Sequence, residues 1–134
     1  MEKPYLNVVC AIILKNSQVL AVKRSEKQHL AGHWEFPGGK VELEETQKNA
    51  IIREIEEELR VSIIPIMTLS HVWWQDGKEL IRLIPIVCEL PDGEIELQEH
   101  EEFRWLSYHD LPHMNWAPAD IAIVKQVADL MEQF

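Results

Sequence analysis

Three glutamates in the middle of the chain, Glu54, Glu57 and Glu58, have a spacing that could bind a cation. In an α-helix, residues at positions i, i+3 and i+4 lie within one arc of about 100° around the axis. Like charges this close cost roughly 0.2–0.5 kcal/mol per pair. A divalent cation that prefers oxygen ligands, such as Mg²⁺ or Mn²⁺, removes that cost. The spacing alone leaves two interpretations open, a solvated acidic surface and a metal-binding face.

The residues around these glutamates favour the metal-binding interpretation. The segment resembles the Nudix box, in which a loop glycine and a first glutamate precede an Arg-Glu-aliphatic-x-Glu-Glu helix. The matching residues in this chain are Gly39, Glu45, Arg53, Glu54, Ile55, Glu57, Glu58 and Val61. Apolar periodicity independently predicts a helix after a glycine-containing loop at this place.

One position departs from the box, because Arg60 stands where the box has glycine. That position follows the helix, where a left-handed residue is usual, and a non-glycine residue there costs about 1 kcal/mol. Arg60 offers no oxygen to a metal, so we expect the substitution to affect stability more than catalysis.

The resemblance extends over most of the chain. Residues 31–42 are similar to the segment that enters the box in MutT-type nucleotide-pool sanitising enzymes and in bacterial CTP pyrophosphohydrolases. Glu99-His100-x4-Trp105 and residues 117–121 resemble later segments of the same enzymes. The resemblance implies a Nudix fold of the α/β class, with a mixed β-sheet sandwiched between α-helices, formed by one domain over residues 1–134.

The resemblance also implies roles at a metal site. Mg²⁺, for which Mn²⁺ could substitute, is expected to bind the carbonyl of Gly38 and the carboxylates of Glu54, Glu57, Glu58 and Glu99. Glu57 or Glu99 would take a proton from water, whereas Arg53 and Glu45 would orient the loop and helix. The sequence leaves open which carboxylate of the acidic loop 94–102 reaches the metal. Paired glycines are expected to let the backbone approach a ligand, so valine at Gly38 should damage metal binding more than folding.

A second group of residues is expected to bind the nucleotide. The phosphates would lie near Arg24, His29 and Lys40, and the nucleoside near Glu35, Phe36 and Pro37. Trp116 is the better candidate for stacking on the base. Trp73 and Trp74 point to opposite faces of a strand, so one of them is expected to be core. Asp120 could read the base or could be a carboxylate favoured at a helix start.

By this resemblance the reaction is hydrolysis of a nucleoside triphosphate to the monophosphate and pyrophosphate. The leading substrate is 8-oxo-dGTP, whose removal belongs to nucleotide-pool sanitising and DNA repair, and the alternative is CTP or a modified dCTP. A non-catalytic Nudix-like ligand sensor is a hypothesis of another class, disfavoured by the intact glutamates. An acidic protein-interaction domain would explain the charge but not the register of the motif.

Composition limits the partners. A formal net charge of −10 disfavours duplex nucleic acid but permits a small phosphorylated ligand with a divalent cation. The N-terminus has no signal peptide and no apolar run is long enough for a membrane span, so a cytoplasmic protein is expected, as a monomer or homodimer. Cys10 and Cys88 are expected to be reduced core thiols.

Patterning predicts helices packed on a mixed sheet. Apolar runs separated by turn residues predict strands at 8–14, 18–23, 34–36, 63–74, 80–90 and 103–105. Pro37-Gly38-Gly39 is expected to break any regular element. Helical spacing predicts a helix from about Glu44 to Leu59 and a closing helix opened by Pro118. The expected apolar face of that closing helix is Ile121, Val124, Val127, Ala128 and Met131.

Overall fold

The computed structural model describes residues 4–133 and contains a mixed sheet with one α-helix against each face. The strands are β1 (Leu6–Lys15), β2 (Gln18–Lys23), β3 (Trp34–Glu35), β4 (Gly38–Lys40), β5 (Ile64–Thr68), β6 (Val72–Asp76), β7 (Glu79–Glu89) and β8 (Glu102–Leu106). The helices are α1 (Gln47–Leu59) and α2 (Ile121–Glu132), and 3-10 turns cover Tyr108–His113 and Pro118–Asp120.

The sheet is mixed because β1 and β7 run parallel over nine paired positions, while the other pairs of these eight strands are antiparallel. β1 and β2 pair only at their shared hairpin, through Leu14–Val19 and Lys15–Gln18. Beyond the hairpin they separate, and residues 34–40 fill the gap. This segment pairs first with β2 as β3 and then with β1 as β4. The predicted mixed sheet between helices is confirmed.

Two separate apolar layers hold the helices on the sheet. Alternate residues of β1 point to opposite faces, with Val9 and Ala11 in one layer and Cys10 and Ile12 in the other. The α1 layer contains Ala50, Ile51, Ile55 and Leu59, as the periodicity predicted. The α2 layer contains Ile123, Val127 and Met131. Ile121 is half exposed, so its assignment to the apolar face was wrong, because the buried stripe of the helix runs through Ile123, Val127 and Met131.

The ends of α1 follow from its capping residues. Thr46 caps the first turn, since its hydroxyl accepts the Asn49 N–H at 3.1 Å. The predicted start at Glu44 was too early, because Glu44 has a left-handed φ of 65°. Arg60 ends the helix in the left-handed conformation, with φ 58° and ψ 33°, as expected for the position at which the box has glycine.

The region predicted as one strand, 63–74, is interrupted. β5 and β6 both pair antiparallel with β7, and residues 69–71 separate them. The prediction that Trp73 or Trp74 is core was wrong. Trp73 and Trp74 are 52% and 36% exposed, and neither packs in either of the two apolar layers of the sheet. Trp73 instead makes an edge contact with Tyr5.

The Pro37-Gly38-Gly39 segment does not end regular structure, contrary to the sequence-based expectation. Gly38 and Gly39 belong to β4 and pair with Cys10 and Val9 of β1. The Pro37 carbonyl accepts the Ala11 N–H at 2.8 Å. A Cβ built on Gly38 would lie 2.0 Å from the Val9 carbonyl oxygen, so glycine is what allows this strand to form.

The two cysteines are buried and form no disulfide, as predicted. Within residues 4–133, no helix combines the length and the apolar character that a membrane crossing requires.

Candidate active site

The three glutamates of α1 lie on one side of the helix but differ in burial. Glu57 is the most open, with 58% of its side chain exposed, and Glu54 has 15% exposed. Glu58 is buried, with only 9% of the residue exposed. The helix therefore presents a gradient from a solvated carboxylate to an enclosed one.

Glu58 is a buried acidic group in a negative environment. Burial, together with the nearby charges of Glu54, Glu35 and Glu99, raises the pKa of its carboxyl group from 4.5 to about 9. A hydrogen bond from the Gly38 N–H acts in the opposite direction. The Oε2 atom of Glu58 is buried and has no hydrogen-bond partner among the described residues. An unpartnered buried carboxylate oxygen amid further carboxylates fits a divalent cation.

Within residues 4–133, the acidic side chains around Glu58 are not arranged as a complete set of metal ligands. In the described part of the chain, no three acidic, histidine or cysteine side chains form a closed metal-ligand set. The carboxylates surround Glu58 more loosely than metal bond lengths require. Carboxylates that repel one another take up ligand geometry when a cation binds between them.

Glu54 packs directly on the β4 backbone. A Cβ built on Gly39 would lie 2.4 Å from the Cδ and Oε2 atoms of Glu54. The absence of a side chain at Gly39 therefore makes the room that the Glu54 carboxylate occupies. Because β4 is paired with β1, this carboxylate lies directly against the sheet.

Arg53 joins α1 to the loop that precedes it. Its Nε and Nη2 donate to the two carboxylate oxygens of Glu45 at 2.7 and 3.0 Å, and Nη2 also donates to the Lys40 carbonyl. Its Nη1 contacts Glu54 at 2.8 Å and Glu57 at 3.2 Å. The paired hydrogen bonds from Arg53 lower the pKa of Glu45 to about 2, and they raise the pKa of Arg53 above its usual range. This arrangement orients the loop and two of the acidic side chains together.

The acidic loop 94–102 is tied to the end of α1. The Glu96 N–H donates to the Leu59 carbonyl at 3.0 Å, and the Gln98 N–H donates to the Glu58 carbonyl at 3.2 Å. These contacts bring Glu99 close enough to Glu58 for its charge to raise the pKa of Glu58. Glu102 instead pairs with Arg104 on the surface. Glu99 is thus a loop carboxylate whose charge acts on Glu58, and we call Glu54, Glu57, Glu58 and Glu99 the acidic cluster.

A second cluster adjoins the acidic one and is centred on Glu35. Arg24 donates from Nη1 to Glu35 at 2.9 and 3.2 Å, and its Nε donates to the His29 carbonyl. On the other side, His100 Nε2 lies 2.9 Å from Glu35 Oε2. The charge of Glu35 also raises the pKa of Glu58 and of Asp120, so Glu35 lies near both groups.

Asp120 is buried rather than exposed at a helix start. Its Oδ2 accepts the Phe36 N–H at 2.9 Å. Burial raises the pKa of its carboxyl group to about 7, an effect that the Phe36 hydrogen bond opposes. The chain reaches this place because Trp34 and Trp116 form a parallel bridge, in which the Ala117 N–H donates to the Trp34 carbonyl at 2.8 Å.

Comparison with known proteins agrees with this geometry. The family model for the NUDIX domain matches residues 4–127. The chain belongs to the Nudix family.

Named relatives of this Nudix chain fall into two groups. The CTP pyrophosphohydrolase of Escherichia coli K12 is 34% identical to it over 90% of this chain and 89% of the relative. The 8-oxo-dGTP diphosphatase of the same organism is 26% identical over 87% of this chain and 90% of the relative. The solution structure of the DNA mismatch repair protein MutT (family Nudix hydrolase) from methicillin-resistant Staphylococcus aureus 252 is 41% identical, with a TM-score of 0.76 over 96% of this chain and 98% of that one.

The Nudix structure brings together only part of the predicted substrate group. Arg24, Glu35 and Asp120 converge, as described above. Phe36 and Trp116 stack on each other at 5.0 Å inside the α2 layer. Trp116 is 8% exposed and its indole N–H donates to the Leu111 carbonyl, so the stacking role predicted for it is not supported.

Three further predicted residues have peripheral or backbone roles in the structure. Pro37 is buried and anchors β1 through its carbonyl. His29 and Lys40 are exposed, and the contacts described above use their carbonyls. Their side chains remain candidates for a phosphate chain bound at the surface.

Sequence reasoning missed two features of this Nudix site. The room that Gly39 leaves for Glu54 depends on the pairing of β4 with β1, which no local pattern indicates. His100 contacts Glu35 across 65 residues. Its position beside Glu99 in a matching motif was the one available indication, and its own role was not predicted.

Proposed function

We propose that this Nudix chain is a metal-dependent nucleoside triphosphate pyrophosphohydrolase, which converts a nucleoside triphosphate and water into the monophosphate and pyrophosphate. The observation that carries the proposal is the buried, unpartnered Oε2 of Glu58 beside Glu54 and Glu99. Nudix hydrolases generally depend on a divalent metal. We take Mg²⁺ as the ion here, with Mn²⁺ as a substitute, because the donors are carboxylate and carbonyl oxygens.

The residues of the acidic cluster would have two roles, metal binding and proton acceptance. The Gly38 carbonyl with Glu54, Glu57, Glu58 and Glu99 would hold the ion. When bound, the ion neutralises phosphate charge and lowers the pKa of water. Glu57, which is solvated, or Glu99 accepts the proton of the attacking water. The new bond forms at the β-phosphorus, and the bond from that phosphorus to the oxygen of the nucleoside monophosphate breaks.

The neighbouring cluster would bind the rest of the nucleotide. Arg24, which is held beside Glu35, would contact the phosphates. The exposed side chains of His29 and Lys40 would also contact them from the surface. These contacts offset the repulsion between the phosphates and a chain with a formal net charge of −10. Binding of this kind is mainly positioning and charge stabilisation, which suits side chains fixed on a sheet and helix.

Asp120 supports a specific base preference. With a pKa of about 7, this buried group is partly protonated at neutral pH. A carboxylic acid offers a donor and an acceptor side by side, which matches the N7–H and O6 of 8-oxoguanine. We therefore take 8-oxo-dGTP as the leading substrate, with a role in nucleotide-pool sanitising. The ionised form only accepts, which suits the amine of cytosine, so CTP or a modified dCTP is the second candidate.

The test is pyrophosphate release from 8-oxo-dGTP, dGTP, CTP and dCTP, with Mg²⁺ and with chelator. We expect Mg²⁺-dependent release, and a ratio of 8-oxo-dGTP to CTP kcat/KM that falls as pH rises through about 7, since Asp120 loses its proton. In Asp120→Asn the ratio should no longer change with pH. Nucleotide binding without hydrolysis would instead identify a ligand sensor and refute the enzyme assignment.

A further inference from the structure

His100 is an enclosed histidine at the nucleotide side of the site, and its side chain is only 2% exposed. Its Nε2 lies 2.9 Å from Glu35 Oε2. Its other ring nitrogen, Nδ1, is buried and has no hydrogen-bond partner among the described residues. A carboxylate accepts and does not donate, so the contact with Glu35 requires a proton on Nε2.

His100 contacts the Glu35 side chain, which also accepts a hydrogen bond from Arg24. Glu35 Oε1 accepts from Arg24 Nη1 at 2.9 Å, while Oε2 faces His100. The three residues come from adjacent parts of the sheet. Glu35 is in β3, Arg24 follows β2, and His100 precedes β8, which pairs with β2 on its other edge. The Glu101 N–H donates to the Lys23 carbonyl at 2.9 Å, which fixes the backbone beside His100.

We propose that His100 is a positioning residue, whose Nε2–H holds the Glu35 carboxylate so that Glu35 in turn holds the Arg24 guanidinium in one orientation. Arg24 has a long side chain with many rotamers, and a carboxylate partner of fixed position reduces the ordering cost of binding an anion. Glu35 is the one carboxylate that both His100 and Arg24 contact among the described residues. Without the histidine donor, that carboxylate loses one of its two polar anchors. The inference rests on the proposed function in taking Arg24 as a phosphate-binding residue.

The kinetic test compares three substitutions of His100. In His100→Gln the amide nitrogen takes the place of Nε2 and can still donate to Glu35. In His100→Asn the amide is near the place of Nδ1 and cannot reach Glu35, and His100→Phe has no donor. We expect KM for the triphosphate to rise about tenfold in the Asn and Phe variants, with kcat changed less than about threefold, because a hydrogen bond to a charged group is lost. The Gln variant should recover most of the wild-type KM.

Two controls separate this effect from a general loss of structure. His71→Phe removes an exposed histidine in the turn before β6 and should leave KM unchanged. In an Arg24→Ala background, adding His100→Phe should change KM less than about twofold, since there is no guanidinium left to position. Equal KM increases in the Gln, Asn and Phe variants, or a loss of kcat at unchanged KM, would overturn the proposal.

A spectroscopic test does not depend on activity. Nitrogen-15 NMR of the wild-type chain should show His100 protonated on Nε2, and the Arg24 Nε–H should give a resolved resonance. That resonance should persist in His100→Gln and broaden in His100→Phe. A wild-type His100 protonated on Nδ1 alone would refute the contact. If the wild-type chain released no pyrophosphate from any nucleotide, the proposed function would fail, and these resonances would still decide whether His100 positions Arg24.

Discussion

Glu57 and Glu58 are adjacent in sequence and similar in type, but the structure gives them different environments. Glu57 is solvated and paired with Arg53, whereas Glu58 is enclosed, which raises the pKa of its carboxyl group. The sequence spacing predicted that all three helix carboxylates share one side of α1. It did not predict that the same side would be partly covered, because that depends on β4 and on the acidic loop, which are distant in sequence.

This difference leads to separate expectations for two matched substitutions. Glu57→Gln and Glu58→Gln should each lower Mg²⁺-dependent turnover at least about a hundredfold, because each removes a charged group from the proposed metal site. Only Glu58→Gln should raise stability without metal. The pKa of Glu58 is about 9 when folded and 4.5 ordinarily, so the metal-free fold loses stability as pH rises between these values.

The measurements are pyrophosphate release with Mg²⁺ and thermal unfolding with chelator at pH 8. Glu56→Gln is the control, since Glu56 is an exposed glutamate of the same helix outside the motif. Full Mg²⁺-dependent turnover in the Glu57 and Glu58 variants would contradict the site assignment. A stability gain in Glu57→Gln equal to that in Glu58→Gln would contradict the difference in burial.

At the scale of single elements, the end of α1 tests the one departure from the Nudix box. Arg60 is left-handed, with φ 58°, and its side chain is exposed. Arg60→Gly should raise the free energy of unfolding by up to about 1 kcal/mol, because glycine adopts this conformation without steric cost. Turnover should change little.

Denaturant unfolding measures this effect, and Arg60→Ala is the matched control. Alanine removes the same side chain but keeps a Cβ, so it should bring no comparable gain. If alanine and glycine stabilised the protein equally, the arginine side chain rather than its backbone conformation would be the unfavourable feature.

Substitutions of the two glycines of β4 should have different effects, one on stability and the other on turnover. A Cβ on Gly38 meets the backbone of Val9 and Cys10, which cannot move without disturbing β1. Gly38→Ala and Gly38→Val should therefore unfold the protein or lower its melting temperature severely, contrary to the sequence-based expectation for valine. A Cβ on Gly39 meets only the flexible end of Glu54. Gly39→Ala should keep the fold and lower turnover by displacing that carboxylate.

Circular dichroism melting and Mg²⁺-dependent turnover of the two alanine variants distinguish these outcomes. A Gly39→Ala protein with wild-type turnover would show that the position of Glu54 against β4 is unimportant. A stable Gly38→Ala protein would show that β4 can move away from β1.

Elements that depend on a local sequence pattern were predicted, whereas those that depend on pairing with distant strands were not. Both α-helices and the longer strands were predicted from apolar periodicity and turn residues, with errors of a few residues at α1. The strand at Gly38 could not be predicted, since glycine pairs usually indicate turns and here permit a close backbone approach. Residues 69–71 divide the predicted strand 63–74 into β5 and β6. The break is seen only in the separate pairing of β5 and β6 with β7.

At the scale of the whole molecule, metal binding and folding should be linked through Glu58. The ion binds the deprotonated carboxylate, so it competes with the proton that burial favours. At equal Mg²⁺ concentration, the rise in melting temperature on adding metal should be larger at pH 8.5 than at pH 6. The rise follows from binding to the folded state only.

Thermal unfolding with and without Mg²⁺ at the two pH values checks this expectation. The Glu58→Gln protein should show a smaller rise and little dependence on pH. A wild-type rise that is larger at pH 6 would mean that Glu58 is not the group that the ion displaces from its proton.

The layered arrangement was predictable because each helix has one apolar stripe and the central strands are apolar on both faces. The convergence of the site was not predictable in the same way. The Glu35, Asp120 and His100 side chains meet because residues 34–40 enter the gap between β1 and β2, and because residue 116 bridges to residue 34. The family resemblance indicated most of the residues, whereas the contacts among them depend on the complete sheet.

The segment 34–40 also affects how the protein can open. It pairs with both β1 and β2, and Gly39 lies opposite Val9 of β1, so the Gly39 amide reaches solvent only when β4 separates from β1. Hydrogen exchange at Gly39 should therefore require nearly the full free energy of global unfolding, unlike exchange in a surface loop. Residues 34–40, which pack against the acidic cluster, then have no partly opened state of their own. On heating, loss of activity should coincide with cooperative unfolding of the sheet instead of preceding it.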